Sequence, residues 1–308
     1  MQLLRAFAFL ACGSLATGLP RHVRGDGKSA HLPATPPPTY LIIRADDGGM
    51  SHSVNMALER LIESGMPVSV SVIFAAPWYQ ETVEILKRHP NVAVGVHLAL
   101  NAEWKNYRWG PVLGRSAVPT LVDSLGYFYS SGEALYHNTP STAEIEKELR
   151  AQIERAKRSG VRIDYVDYHM GTAVRTPESR AIVERLAREY GLGMSEYFGE
   201  TGETGENPQY AAAPPAKGDS LAAFVARLRP GLNLLVTHVG IDGPELGALV
   251  DMNTESPLAD MSKHRQGELD AITSPRFRQS LQARGVSLVT YRQVIEMEGL
   301  KSMRPPAG

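Results

Sequence analysis

Cysteine is almost missing from this 308-residue sequence: the single one, Cys12, stands near the start. The folded part therefore has no internal disulfide, and its stability has to come from an apolar core. Charge of one sign is not in excess either. Lys and Arg number 32 against 33 Asp and Glu, a formal net charge of -1. That excludes the broad basic field by which a chain holds nucleic acid or an acidic membrane surface. Long hydrophobic runs are lacking. Residues 6–16 are apolar and small but too short to cross a bilayer, and no later stretch is long enough to serve as a membrane span. What remains is the composition of an ordinary globular protein, 43% hydrophobic and 21% charged, with length for one large domain or two small ones.

The start reads as an export signal. Arg5 supplies a positive n-region, residues 6–16 an apolar one, and Ser14-Leu15-Ala16 a small-residue cleavage site, which gives a signal peptide over residues 1–17. A periplasmic or secreted protein follows from that reading. A lipoprotein anchored through Cys12 and an unstructured cytoplasmic start are the alternatives. Residues 18–38 end in Pro36-Pro37-Pro38 and cannot bury apolar surface, so they form a disordered spacer.

From Tyr40 onward, strand and helix signals alternate. Short runs rich in Val, Ile, Leu and Tyr occur at residues 40–45, 67–74, 92–98, 161–169, 192–195, 232–238 and 286–290. Between them lie helical patterns. Ser53 precedes an apolar face of Val54, Ala57, Leu58, Leu61 and Ile62, closed by Gly65. Ser141 and Glu144 make a capping-box pattern, and Thr176-Pro177 opens a helix that ends near Gly191. A further helix is expected over residues 264–284. Such alternation implies parallel strands joined by helical crossovers, closed as an open doubly wound sheet or as a barrel. The Gly-x-Gly-x-x-Gly fingerprint of dinucleotide-binding sheets is absent after the first strand, where Asp46-Asp47-Gly48-Gly49 stands instead. The expected fold is one domain over residues 39–300, an α/β irregular TIM-like barrel of about seven parallel strands. Barrel chemistry collects at the C-terminal ends of strands.

Several reactive side chains occupy such ends. Asp46 and Asp47 close the first run. Two adjacent carboxylates repel, a bound cation would relieve them, and the glycines that follow let the chain leave the sheet at once. An Asp-Gly turn is the plainer alternative. His97 closes the third run, His169 the fourth and His238 the sixth. Each alone could be a buried histidine bonded to backbone. Asp167 precedes His169 on the same face and suits the acceptor that a metal-binding imidazole needs for its other nitrogen; it could also be a solvated carboxylate. Two His and one Asp with open positions make a catalytic rather than a structural metal pattern. Zinc suits such a set, with magnesium, manganese and cobalt as alternatives. His52, His89, His137 and His264 read as surface or capping residues.

The run 41–49, with Asn55 and Ala57 behind it, resembles the opening of the YdjC-like carbohydrate deacetylases, the chitooligosaccharide deacetylase group. Val94-Gly95-Val96-His97-Leu98 is similar to their second motif, Tyr165-Val166-Asp167-Tyr168-His169-Met170 to the third and Val236-Thr237-His238 to a fourth. His264-Arg265-Gln266-Gly267-Glu268-Leu269 and the run 285–291 resemble the closing segment. The resemblance spans residues 40–297. It implies one divalent metal ion on Asp47, His97 and His169, Asp46 as base, His238 as acid, and removal of an N-acetyl group from an amino sugar or oligosaccharide.

Arg265 would then orient Asp46 or the substrate, or be a plain helix-surface residue. The irregular segment 101–137 carries Trp104, Tyr107, Trp109, Tyr127, Phe128, Tyr129 and Tyr136. These could stack on sugar faces or form a small core beneath the loop. Residues 200–218 read as a mobile surface loop. The partner is a carbohydrate substrate, and a homo-oligomer is compatible with the sequence. Rival readings are another metal-dependent amidase or phosphoesterase on the same site, a sugar-binding barrel without catalysis, and a structural envelope protein.

Overall fold

The computed structural model describes residues 37–201, 210–253 and 260–306. The leader and residues 18–36 of the spacer lie outside them. The chain runs through β1 (Thr39–Gly48), α1 (His52–Glu63), β2 (Ser69–Val72), α2 (Tyr79–Arg88) and β3 (Ala93–Leu98). It continues with α3 (Gly132–His137), α4 (Thr142–Arg158), β4 (Tyr165–Tyr168), α5 (Pro177–Tyr190) and β5 (Gly193–Met194). It closes with α6 (Lys217–Arg227), β6 (Gly231–Thr237), α7 (Pro244–Gly247), α8 (Met261–Thr273), α9 (Pro275–Ala283), β7 (Val286–Val289) and α10 (Tyr291–Glu298). All seven expected strands are present, and every pairing is parallel.

The sheet curls into a half-barrel in the order β5-β4-β3-β2-β1-β6. β6 lies along residues 39–45 of β1. The other edge of β1 is shared: β7 takes residues 39–42 and β2 the stretch from Arg44 to Gly48. A bridge between Thr201 and Asn233 ties the chain beyond β5 to β6.

Strand alternation sorts the side chains. Leu41, Ile43 and Ala45 join the large core under the helices, with Val70, Val72, Val94, Val96 and Val166. Ile42 packs instead with Tyr165, Phe198, Leu234 and Tyr291, which fill the lower lumen. Gly95 makes room for this filling, since a Cβ there would sit 2.4 Å from the Tyr165 ring. Above that apolar plug the inward positions turn polar: Arg44 and Asp46 on β1, Ser71 on β2, His97 on β3, Asp167 on β4 and Ser195 after β5, all buried.

Several local expectations need correction. The first helix is capped by Ser51, whose side chain accepts from Val54 N, and Ser53 lies inside it. The Ser141 capping box does not form, because Glu144 Oε2 accepts from the backbone and hydroxyl of Thr120 instead. The Thr176 box forms, with Ser179 as its return partner. The helix expected over 264–284 is two helices, α8 and α9, broken at Ser274-Pro275 because proline cannot donate to the preceding turn. Residues 214–218 are not loop. They hold a short turn of helix and the start of α6, where Lys217 is buried. His264 is buried in α8 rather than on the surface.

Candidate metal centre and active site

The strand-end rule holds. Asp46 and Asp47 lie within the last three residues of β1, His97 is the penultimate residue of β3, His169 follows β4 and His238 follows β6. Along one strand, Asp46 and Asp47 would face opposite ways. The register of β1 on β2 shifts between Ala45 and Gly48, and Asp47 adopts φ 66. This bulge swings the second carboxylate round to the side of the first. Gly49 completes the departure at φ 87, with Tyr79 backbone 2.7 Å from where a Cβ would be.

Three donor atoms converge at the mouth. Asp47 Oδ1 lies 3.2 Å from His169 Nδ1 and 3.6 Å from His97 Nε2, and the two nitrogens are 3.3 Å apart. The far side of each ring is held. Asp167, expected two residues before His169 as the acceptor for that ring, is buried and accepts from His97 Nδ1 at 3.0 Å instead, because the register of β4 on β3 sets it beside His97. His169 Nε2 donates to Glu103 Oε2 at 2.9 Å. With those nitrogens acting as N–H donors, the inner nitrogens present lone pairs to the space between. Asp47 Oδ2 accepts from Arg265 Nη2 at 2.6 Å, while Oδ1, buried, has no hydrogen-bond partner. An orphaned carboxylate oxygen facing two imidazole nitrogens is a donor set that could hold a cation with positions left open.

Charge supports the same reading. Asp46 and Asp167 pair with Arg44, Asp47 with Arg265, and Glu103 with His169, and the four carboxylates and both arginines are buried. Four carboxylates against two guanidinium groups leave two negative charges, which a buried site must neutralise. A divalent ion would do so with both rings neutral. Without an ion the histidines take protons instead. Burial opposes the His169 imidazolium, but Glu103 and Asp47 outweigh it and push its pKa up to about 10. Burial opposes charge on His97 as well, and Asp167 with Asp46 raises its pKa nonetheless. Burial disfavours the ionised carboxylates, yet Arg44 holds Asp46 below its usual range and Arg265 holds Asp47 well below.

Asp46 stands beside this triangle, its Oδ2 4.0 Å from His97 Nε2. Its partner is Arg44, which grips both carboxylate oxygens at 2.8 Å. Arg265, expected to orient Asp46 or the substrate or to lie on a surface, is buried and bonds Asp47. Next to Asp46, one position beyond the Ala45–Thr237 pair of β1 and β6, comes His238. Its backbone N–H donates to Glu268 Oε2 at 2.7 Å, and Thr237 Oγ1 donates to the same oxygen at 2.9 Å. The His238 Nδ1 is buried and unpartnered.

Trp104 and Trp109 are 1% and 3% exposed, so neither offers a face to a sugar in this conformation. Both line the centre: Trp109 lies 6.0 Å from the His169 ring and Trp104 6.0 Å from the Arg265 guanidinium. Sequence reasoning missed Glu103 and Arg44. A lone glutamate in a loop carries no signal. Arg44 did carry one, a charge on the inward parity of a buried parallel strand, which must find a partner.

The model of the YdjC-like protein family matches residues 40–283. The chain belongs to the YdjC-like family. Among its relatives is a carbohydrate deacetylase of Geobacillus stearothermophilus, 29% identical over 269 residues, covering 84% of this chain and all of that one. Another is a carbohydrate deacetylase of Thermus thermophilus, 30% identical over 261 residues, covering 78% and 89%. A solved structure from Enterococcus faecalis V583, described as a cellobiose-phosphate cleavage protein, superposes with a TM-score of 0.68 at 21% identity, covering 83% of this chain and 99% of that one. It shares the YdjC-like chain's fold.

Proposed function

We propose that this chain is a metal-dependent hydrolase that removes the N-acetyl group from an amino sugar or oligosaccharide. The observation that carries the proposal is the convergence of Asp47, His97 and His169 on one point, with Asp46 on one side and His238 in the neighbouring strand position. The family relatives called carbohydrate deacetylases support the substrate class.

An amide is a poor electrophile and its amine a poor leaving group. A divalent ion held by the three side chains, zinc because imidazole and carboxylate together suit it, would polarise the carbonyl and make a bound water acidic near neutral pH. The remaining work falls to the chain. Asp46 accepts the proton of the attacking water. Arg44 keeps that carboxylate ionised and fixed in orientation. His238 gives a proton to the departing nitrogen, its main chain anchored by Glu268. Asp167 and Glu103 hold the two ligand rings in register. Arg265 pins one oxygen of Asp47 and leaves the other for the ion.

The test is acetate release by the zinc-loaded protein from N-acetylated mono- and oligosaccharides, beside acylated peptides and phosphate monoesters. Acetate from the sugars alone is expected. Turnover of a phosphate monoester or a peptide in its place would overturn the substrate class.

A further inference from the structure

Two groups of metal-ligating side chains meet in this site and share His97. Asp47, His97 and His169 form one. Asp46, His97 and Asp167 form the other, with donor atoms likewise within 4.8 Å of one another. Adjacent ligand sets that share a side chain are the layout of hydrolytic centres with two ions. Here the second set already holds a cation. Arg44 rises inside the lumen from β1, and its Nε donates to Asp46 Oδ1 at 2.8 Å and lies 3.1 Å from Asp167 Oδ2. Its Nη2 donates to Asp46 Oδ2 at 2.8 Å, and its Nη1 to Ser195 Oγ at 2.7 Å. Ser195 Oγ is in turn 2.5 Å from the Tyr291 hydroxyl. Every nitrogen of the guanidinium is used, and the side chain is 6% exposed.

We propose that Arg44 is the built-in second cation of this centre. Its guanidinium occupies the place between Asp46 and Asp167 that a second divalent ion would take, so the site accepts one ion. The same fork fixes the plane of the Asp46 carboxylate. The physical argument is one of charge and shape. Asp46 and Asp167 approach a common point, and two carboxylates so placed repel unless a cation lies between them. Arginine keeps its charge at every working pH, so the role needs no metal from solution. Its planar fork meets both oxygens of Asp46 at once, which a single ammonium cannot do. Arg44 therefore acts through Asp46 and Asp167, as a positioning residue. Its effect on turnover rests on Asp46 being the base; its effect on ion count does not.

Two variants and two readouts test this. Ions per folded chain are counted by elemental analysis after equilibration with excess zinc, and kcat and KM are measured on the acetylated sugar. Wild type is expected to hold one ion. Arg44→Ala should hold two, the second on Asp46 and Asp167 with His97 Nδ1 giving up its proton to solvent, and with kcat down on the order of a hundredfold and KM little changed, because a misaimed base costs rate rather than binding. Arg44→Lys should stay at one ion, since its ammonium still fills the place, and should recover only part of kcat. An Arg44→Ala chain that stays at one ion overturns the counter-cation role. Wild-type kcat in Arg44→Lys overturns the fork, and this variant decides the matter if the alanine chain does not fold. If wild type binds one ion but releases no acetate from any sugar, the deacetylase reading fails and the ion counts still judge Arg44.

Discussion

Asp46 and Asp47 are neighbours in the chain with different partners, and substitution separates them. Asp46→Asn should keep the ion, because Asp47, His97 and His169 are untouched, and should lower kcat by about a hundredfold to ten-thousandfold, the usual loss for a general base. His97→Ala should lose ion and turnover together. A zinc titration beside the rate assay checks both, and Asp46→Asn at the wild-type rate would remove the base from the mechanism. The histidines also predict a pH dependence. In the ion-free protein, the His169 pKa of about 10 means that an ion binding at neutral pH must displace a proton. Apparent affinity should therefore strengthen as pH rises towards about 10, by about tenfold per unit for each proton displaced. Calorimetry in buffers of different ionisation enthalpy counts the protons. The sign for stability is opposite. A raised histidine pKa stabilises the ion-free fold below the ordinary histidine range, and that contribution is lost as pH climbs through about 10. At this scale the sequence was legible wherever a reactive residue ended a strand pattern. Asp46, Asp47, His97, His169 and His238 were singled out that way, and the structure brings Asp47, His97 and His169 together. Glu103 was not, because its role depends on where an irregular loop returns, and no periodicity reports that. The link between Arg265 and Asp47 was equally invisible, since it joins residues 218 positions apart.

The elements that carry these residues are held by small side chains as much as by large ones. Gly95 lies two residues before His97 on the inner face of β3, against the ring of Tyr165. Gly95→Ala should overpack the lumen, cost about 1–3 kcal/mol of stability and weaken zinc binding by displacing β3. Urea unfolding measures the first effect, and an unchanged unfolding midpoint would contradict the close contact. Periodicity located the strands because parallel strands with both faces covered are continuous apolar runs. It located helix ends less well. Ser53 was the residue expected at the start of the first helix, and the structure places the cap two residues earlier, at Ser51, where the chain leaves the β1 bulge. The break at Ser274-Pro275 was not expected within the helix over 264–284, although a proline there removes a hydrogen bond to the preceding turn. Residues 214–218 looked like loop because prolines precede α6, yet proline is well suited to open a helix.

The whole molecule places its chemistry by strand order. The alternation of strands and helices implied a parallel barrel, and the half-barrel agrees with it. The order did not follow from the pattern: β1 meets β6, β7 and β2, and this sets Asp46 beside His238 across nearly two hundred residues of sequence. Strand pairing at that range is decided by how the lumen packs, which a one-dimensional pattern does not encode. No helix among the described residues is long and apolar enough to cross a membrane. We propose that the chain is exported and that its leader is removed near Ala16. N-terminal sequencing of the protein from the periplasm or medium should begin beyond that point, and an intact Met1 on cytoplasmic protein would contradict it. The central claim, that one ion on Asp47, His97 and His169 makes this fold a deacetylase, has a direct measurement. Zinc is added stepwise to ion-free protein while acetate release from an N-acetylated sugar is followed. The account predicts a rate that climbs from near zero in proportion to zinc and levels off at one equivalent per chain. A rate that is full before any zinc is added, or that needs two equivalents to develop, would contradict it.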